Sequence, residues 1–119
     1  MAEIHLDPDV LSALQEVMED EYPTLVDTFL ADSEERLQRL TGATDAAQIL
    51  EAAHSFKGSS SNMGAVRLAE LCHELEQRAN DKKLQGIEVL VGKIAEEFAF
   101  VRPLYETERE RSLATARRF

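Results

Sequence analysis

The residues best suited to a catalytic or group-transfer role are His54, Lys57 and Gly58. Lys57 and Gly58 follow His54 by about one turn of a predicted helix. At about 100° per residue, the imidazole of His54 is expected to face outward, with the lysine beside it and the glycine removing a side chain one turn further on. A neutral imidazole is a good nucleophile near neutral pH, and a neighbouring ammonium favours an incoming negative charge. This arrangement suits phosphoryl transfer through His54.

The surroundings of His54 are poor in helix-forming residues. Gly58 and the serines at 59–61 each weaken a helix by up to about 1 kcal/mol relative to alanine. Helix stability does not explain them, whereas a smooth surface would let a partner's active site approach. On the next helix, Glu76 lies at the edge of the apolar stripe, where its carboxylate can reach the inner nitrogen of His54. We assign Glu76 an orienting role.

Helices must position these residues, because the helical period runs through the whole sequence and no strand pattern competes with it. The predicted helices run from Asp7-Pro8 to about Asp20, from Pro23 to Gly42, from Thr44 or Asp45 to about Met63, from Ala65 to Ala79, and from about Ile87 to Pro103. Only Gly64 separates the third helix from the fourth, so these two must lie antiparallel. Pro103 is expected to bend or end the fifth helix. The sequence predicts a single all-α domain over 1–119 with a core at about 7–103, followed at 104–119 by a C-terminal helical extension or a frayed tail.

The composition excludes several classes of protein. With 119 residues, 44% hydrophobic and 30% charged, the chain has the size and the apolar content of one globular domain. Its net charge of −10 argues against nucleic-acid binding. No apolar stretch approaches the ~20 residues that cross a bilayer, and the acidic start does not resemble a secretory signal. With the single cysteine, these features predict a cytoplasmic protein.

The stretch AHSFKGSSSNMGAVRLAELCHELE, residues 53–76, resembles the signature of the histidine-containing phosphotransfer (Hpt) domains. In that signature a histidine is followed at +3 and +4 by Lys-Gly and at +10 by a second glycine. The helical pattern is similar to the family's across nearly the whole chain. The resemblance implies an antiparallel four-helix bundle with an additional short N-terminal helix.

The resemblance also implies roles for the site residues. His54 would carry the phosphoryl group on its outer nitrogen, Lys57 would assist the phosphate, and Gly58 would permit the partner's approach. Glu76 stands where many family members have glutamine. The receiver docking surface is assigned to Ala47, Leu50, Gly58 and Ser61.

The function implied by the resemblance is that of a standalone phosphocarrier rather than an enzyme. It would relay a phosphoryl group between the aspartates of response-regulator receiver domains in a multistep two-component phosphorelay. The receiver would supply Mg²⁺, and the chain itself would hold no cofactor or metal and contact neither nucleic acid nor membrane. A monomer suffices, because one histidine must be exposed to successive partners.

Two other functions remain open. Glu51-x-x-His54 and Glu70-x-x-His73 are paired motifs on adjacent helices, as in di-iron bundles, which add a glutamate from each of two further helices. The candidates for these are Glu34 or Glu35 and Glu96 or Glu97. Against this reading, both glutamates lie about 200° from the apolar centres of their helices. A helical adaptor that keeps the fold without the chemistry is the second alternative. We interpret His5 and His73 as surface residues and Cys72 as a buried small hydrophobe.

Overall fold

The computed structural model describes residues 4–116, with side chains up to Ala114, as helices joined by short turns. The helices are α1 (Pro8–Met18), α2 (Tyr22–Gly42), α3 (Ala46–Asn62), α4 (Val66–Asn80) and α5 (Ile87–Ala116), and a 3₁₀ turn at Glu19–Glu21 joins α1 to α2. Within the described residues no strand occurs. The all-α prediction is confirmed.

Helices α2 to α5 form the bundle, in which α2 packs against α3, α3 against α4, α4 against α5 and α5 against α2. The connections between them are short, so successive helices run antiparallel. Helix α1 lies outside the bundle, and the segment before it is tied to the α3–α4 turn by a 2.8 Å bond from the Asp7 amide to the Gly64 carbonyl. The predicted four-helix bundle with a short additional N-terminal helix is therefore confirmed.

Side-chain caps mark the starts of α1 and α3, as the sequence predicted. Asp7 accepts a hydrogen bond from the amide of Asp9 at 2.9 Å, and a proline occupies the first turn of α1. Asp45 accepts one from the amide of Gln48 at 2.8 Å, which makes Asp45 rather than Thr44 the cap of α3. Each carboxylate satisfies an amide that has no partner within the first turn of its helix.

The turn between α3 and α4 requires a glycine for two reasons. Gly64 has a φ of +74°, in the left-handed region that other residues adopt at a cost. A Cβ there would also lie 3.1 Å from the Cβ of Val10 and 3.3 Å from the carbonyl of Asp7. The glycine thus closes the helical hairpin and lets α1 approach it.

Helix α3 buries the face that the sequence predicted. Ile49, Ala53, Phe56 and Ser60 are all buried, and the ring of Phe56 meets that of Phe98 from α5 edge-on at 6.5 Å. The adjoining shoulder of α3 is left facing solvent. On α4, Cys72 is buried as predicted, and burial raises the pKa of its thiol to about 12.

Helix α5 does not end at Pro103 but continues to Ala116 as a helical extension, so of the two outcomes predicted at Pro103 an end of the helix is wrong. Pro103 lies on the exposed face, while Tyr105 is fully buried and packs edge-on against Phe29 of α2 at 5.1 Å. Arg109 adds a 2.8 Å ion pair to Asp27 of α2. These contacts offset the roughly 3 kcal/mol that an internal proline costs. The last part of the segment predicted as a helical extension or frayed tail, residues 117–119, lies outside the described residues.

Despite its 30 residues, α5 is not apolar enough to cross a bilayer, and neither is any other helix of the described segment.

His5, interpreted as a surface residue, is partly buried and held by contacts with other segments. Its Nδ1 lies 2.7 Å from Oε2 of Glu97, a buried carboxylate on α5, and its ring lies 4.2 Å from that of Phe100. The carbonyl of His5 also accepts a 3.1 Å bond from the amide of Val66. The N-terminal segment is thereby held against both the α3–α4 turn and α5.

Candidate functional site

His54 projects from the solvent-facing shoulder of α3, as the helical period predicted. Its side chain is 73% exposed, whereas its neighbours Ala53 and Phe56 are fully buried. Lys57 and Gly58 follow on the next turn, the lysine partly buried and the glycine exposed. The histidine is therefore accessible to a partner.

Glu76 reaches His54 from α4. Its Oε2 lies 2.5 Å from Nδ1 of His54, the inner nitrogen to which the sequence analysis directed it. An ionised carboxylate can only accept hydrogen bonds, so Nδ1 is the donor and carries the proton. Nε2 of the neutral ring then retains its lone pair on the exposed side chain. The contact thus fixes the tautomer that a nucleophile requires.

The same carboxylate also holds Lys57, a relationship that the sequence analysis did not anticipate. The ammonium Nζ of Lys57 donates to Oε1 of Glu76 at 2.8 Å. The lysine expected beside a phosphate is thus paired with the glutamate in this state. His54 and Lys57 share one anion, and each occupies one of its two oxygens.

These contacts keep Glu76 ionised. The hydrogen bond from Lys57 is the largest influence on the pKa of this carboxyl group and lowers it; desolvation opposes that effect, and the hydrogen bond from His54 reinforces it. The net effect is a pKa below the ordinary value. At neutral pH the Glu76 carboxylate therefore carries its negative charge beside the imidazole, where Lys57 also contacts it.

Gly58 has no packing reason to be a glycine. A Cβ added there would meet nothing within 4 Å, and its φ is not in the left-handed region. Of the serines that follow, Ser60 is buried, and the hydroxyl of Ser59 donates to the Phe56 carbonyl at 3.2 Å. Ser61 is exposed. The bare surface next to His54 is thus open to another molecule rather than filled by this one.

The predicted docking residues fall on two sides of His54. One open groove, of about 740 Å³, lies between α3 and α4 and contains Ala47, Leu50, His54 and Glu76 among its walls. Gly58 and Ser61 instead line a second groove together with Lys57 and His73. The structure therefore places the predicted docking residues around the histidine without bringing them into one concave site.

Helix α2 reaches the neighbourhood of His54 through Arg36, a contact that the sequence did not predict. Arg36 donates from Nε to the hydroxyl of Ser55 at 3.0 Å, next to His54 along the chain. The two residues are 19 positions apart on different helices. No sequence spacing pairs them, because the contact depends on how α2 and α3 are rotated against each other.

Comparison with known proteins decides the family. The family sequence model of the Hpt domain matches residues 24–102, a range that covers all of α3 and α4 and most of the bundle. This chain belongs to the Hpt family. Hpt domains are phosphocarriers that interact with response-regulator receiver domains.

A solved Hpt structure is similar over nearly the full length. The crystal structure of histidine-containing phosphotransfer protein B (HptB) from Pseudomonas aeruginosa PAO1 shares 54% sequence identity and superposes with a TM-score of 0.89. The match covers 92% of this chain and 98% of that one. A search of curated proteins found no match.

The metal-binding alternative is not favoured by the geometry of this Hpt domain. Glu51 and Glu70 are exposed on the outside of the bundle, whereas di-iron ligands project inward. Glu97 is engaged by His5 at the other end of the chain. In residues 4–116, no three His, Cys, Asp or Glu side chains are grouped as ligands of one ion.

Proposed function

We propose that this Hpt domain relays a phosphoryl group between receiver domains of a multistep two-component phosphorelay, with His54 as the phosphoacceptor. The observation that carries the proposal is the 2.5 Å contact between Nδ1 of His54 and Oε2 of Glu76, on an imidazole that is 73% exposed. The contact leaves Nε2 free as a nucleophile and directs the ring outward.

The transfer step follows from this tautomer. The Nε2 lone pair attacks the phosphorus of a receiver's aspartyl phosphate, the N–P bond forms, and the P–O bond to the aspartate breaks to release its carboxylate. Because Nδ1 keeps its proton, the phosphorylated ring is an imidazolium. The negative charge of Glu76 stabilises that cation as it develops. Reversal of the step onto a second receiver's aspartate returns the neutral ring.

Lys57 and Gly58 serve the incoming group in this proposal. The ammonium of Lys57 is close enough to Glu76 to share its carboxylate, and its long stem allows the charge to turn toward the phosphoryl oxygens. Gly58 leaves the surface one turn along α3 open, so the rim of a receiver's active site can approach. Ala47, Leu50 and Ser61 belong to the proposed docking surface on either side of His54.

The partners in this proposal are the receivers of a hybrid sensor kinase and of a response regulator. Mg²⁺ and most of the catalytic groups belong to the receiver, and this chain acts as a monomeric cytoplasmic carrier without kinase activity of its own. The alternative function, that of a helical adaptor, differs from this proposal because the adaptor would bind a receiver without accepting its phosphoryl group.

The test is transfer from receiver domains loaded with acetyl phosphate in the presence of Mg²⁺. Intact mass and site mapping under alkaline conditions, which preserve phosphohistidine, should show one phosphoryl group on His54. His54→Gln should remain folded and accept none. His5→Gln is the matched control and should still accept phosphate, because His5 is held by Glu97 rather than by Glu76. Receivers that bind the wild-type protein without transferring phosphate would support the adaptor instead.

A further inference from the structure

One oxygen of Glu76 has two candidate donors. Nζ of Lys57 lies 2.8 Å from Oε1, and Nδ1 of His73, one turn earlier on α4, lies 3.9 Å from the same atom. The longer separation is beyond hydrogen-bonding range. In this state Lys57 therefore donates a hydrogen bond to Oε1, whereas His73 lies near that oxygen without bonding to it.

Phosphorylation of His54 would change the balance at this oxygen. The ring becomes cationic and repels the ammonium of Lys57, while the phosphoryl group brings negative charge that attracts it. Both effects favour movement of Lys57 away from Oε1. Since the Glu76 side chain is only 16% exposed, an oxygen left without a donor there is destabilising.

His73 is placed to donate to Oε1 of Glu76 once Lys57 has moved away. Its side chain is 52% exposed, so it has room to turn, and an approach of about 1 Å brings Nδ1 within hydrogen-bonding range of Oε1. It lines the same groove as Lys57 and Gly58, where Glu70 is the other titratable neighbour. The lysine can therefore leave as the histidine arrives without either crossing the bundle.

We propose that His73 is a positioning residue that donates to Oε1 of Glu76 when Lys57 turns to the phosphoryl group on His54. The inference rests on the proposed function and adds a residue to it. Glu76 then remains in place in both states, with Oε2 on His54 throughout and Oε1 passed from one hydrogen-bond donor to the other. His73 thereby releases Lys57 for the phosphate.

The experiment uses the full chain phosphorylated with phosphoramidate, which needs no receiver. In ¹⁵N spectra of the imidazoles, phosphorylation of the wild-type protein should move the His73 Nδ1 signal to that of a hydrogen-bonded N–H donor. His73→Leu, which has no donor, should hold roughly two- to fivefold less phosphohistidine at equilibrium. His73→Asn keeps an N–H near the position of Nδ1 and should restore the wild-type level. Amide spectra verify that both variants are folded.

The outcomes separate the two proposals. Phosphohistidine at His54 with an unmoved His73 signal, or with equal levels in His73→Leu and wild type, overturns the role of His73 alone. No phosphohistidine at His54 in the wild-type protein overturns the proposed function and this inference with it.

Discussion

The hydroxyl of Tyr105 in α5 donates a 2.6 Å hydrogen bond to the main-chain carbonyl of Met63, the C-cap residue that follows α3. Tyr105 is fully buried, so no water competes for this bond. The contact ties the part of α5 beyond Pro103 to the turn that joins the two helices of the site.

Replacing Tyr105 with phenylalanine should therefore destabilise the fold. The variant leaves a buried carbonyl without this donor, and we expect the free energy of unfolding to fall by about 1–3 kcal/mol. Urea denaturation measures the change. Tyr22→Phe is the matched control: Tyr22 is equally buried, but its hydroxyl has no hydrogen-bond partner among the described residues, so its removal should be neutral or stabilising. Equal losses in the two variants would contradict the importance of the Met63 bond.

Glu76→Gln should slow formation of phosphohistidine. The amide can still accept from Nδ1 of His54, but the hydrogen bond loses its charge and the imidazolium loses its counter-ion. We expect a reduction of roughly fivefold, the difference between a charged and a neutral hydrogen bond. Phosphoramidate labelling rates measure it. Glu70→Gln removes a charge from the exposed side of the same helix and should have little effect. A similar reduction in both variants would point to net charge instead of the contact with His54.

The contribution of Glu76 to stability should depend on pH. Because the folded-state pKa of its carboxyl group is below the ordinary value of 4.5, its stabilisation is present above that value and is lost as the pH falls through the folded pKa. The difference in unfolding free energy between wild type and Glu76→Gln should therefore shrink in acid. Urea denaturation across this range tests the effect, and a difference that does not vary with pH would contradict it.

Gly58→Phe should impair transfer from a receiver while sparing the fold. A Cβ added at this position meets nothing within 4 Å, and the ring beyond it would occupy the approach to His54. Gly92→Phe on α5 is the matched control, since Gly92 is also an exposed helical glycine with open space around it. Both variants should gain roughly 0.5 kcal/mol of helix stability. Only Gly58→Phe should slow transfer, and equal transfer rates would contradict the open-surface argument.

Gly64→Ala should be more destabilising than Gly86→Ala. Both glycines have a φ of +74°, so each substitution costs about 1–2 kcal/mol of backbone strain. Only at Gly64 would the new methyl group also press on Val10, whereas nothing lies within 4 Å at Gly86. The extra displacement should add ~1–3 kcal/mol in denaturant unfolding. Equal losses would mean that α1 does not pack closely on this turn.

The parts of the fold that depend on neighbouring residues could be predicted from the sequence. Asp7 and Asp45 act on amides two or three residues away, so their types and positions identify the helix starts. The outward direction of His54 follows from the helical period, because the buried stripe of α3 fixes the rotation of that helix. The four-helix bundle was predicted from the resemblance to the Hpt signature.

Contacts between distant segments could not be predicted in this way. The pairing of Lys57 with Glu76 depends on side-chain conformations between two helices, and the bond from His5 to Glu97 spans 92 positions. The sequence left open whether α5 would continue as a helix past Pro103, because the local cost of a proline is visible in the sequence, whereas the burial of Tyr105 is not.

The hairpin of α3 and α4, closed at Gly64, gives the site a modular character. His54, Lys57 and Glu76 all belong to this one supersecondary unit, and the chain between them is short, so little loop entropy opposes their assembly. Helices α2 and α5 support the hairpin from behind without supplying any of these three side chains. Substitutions on the outer faces of α2 and α5 can therefore accumulate while the relative positions of these three side chains are retained.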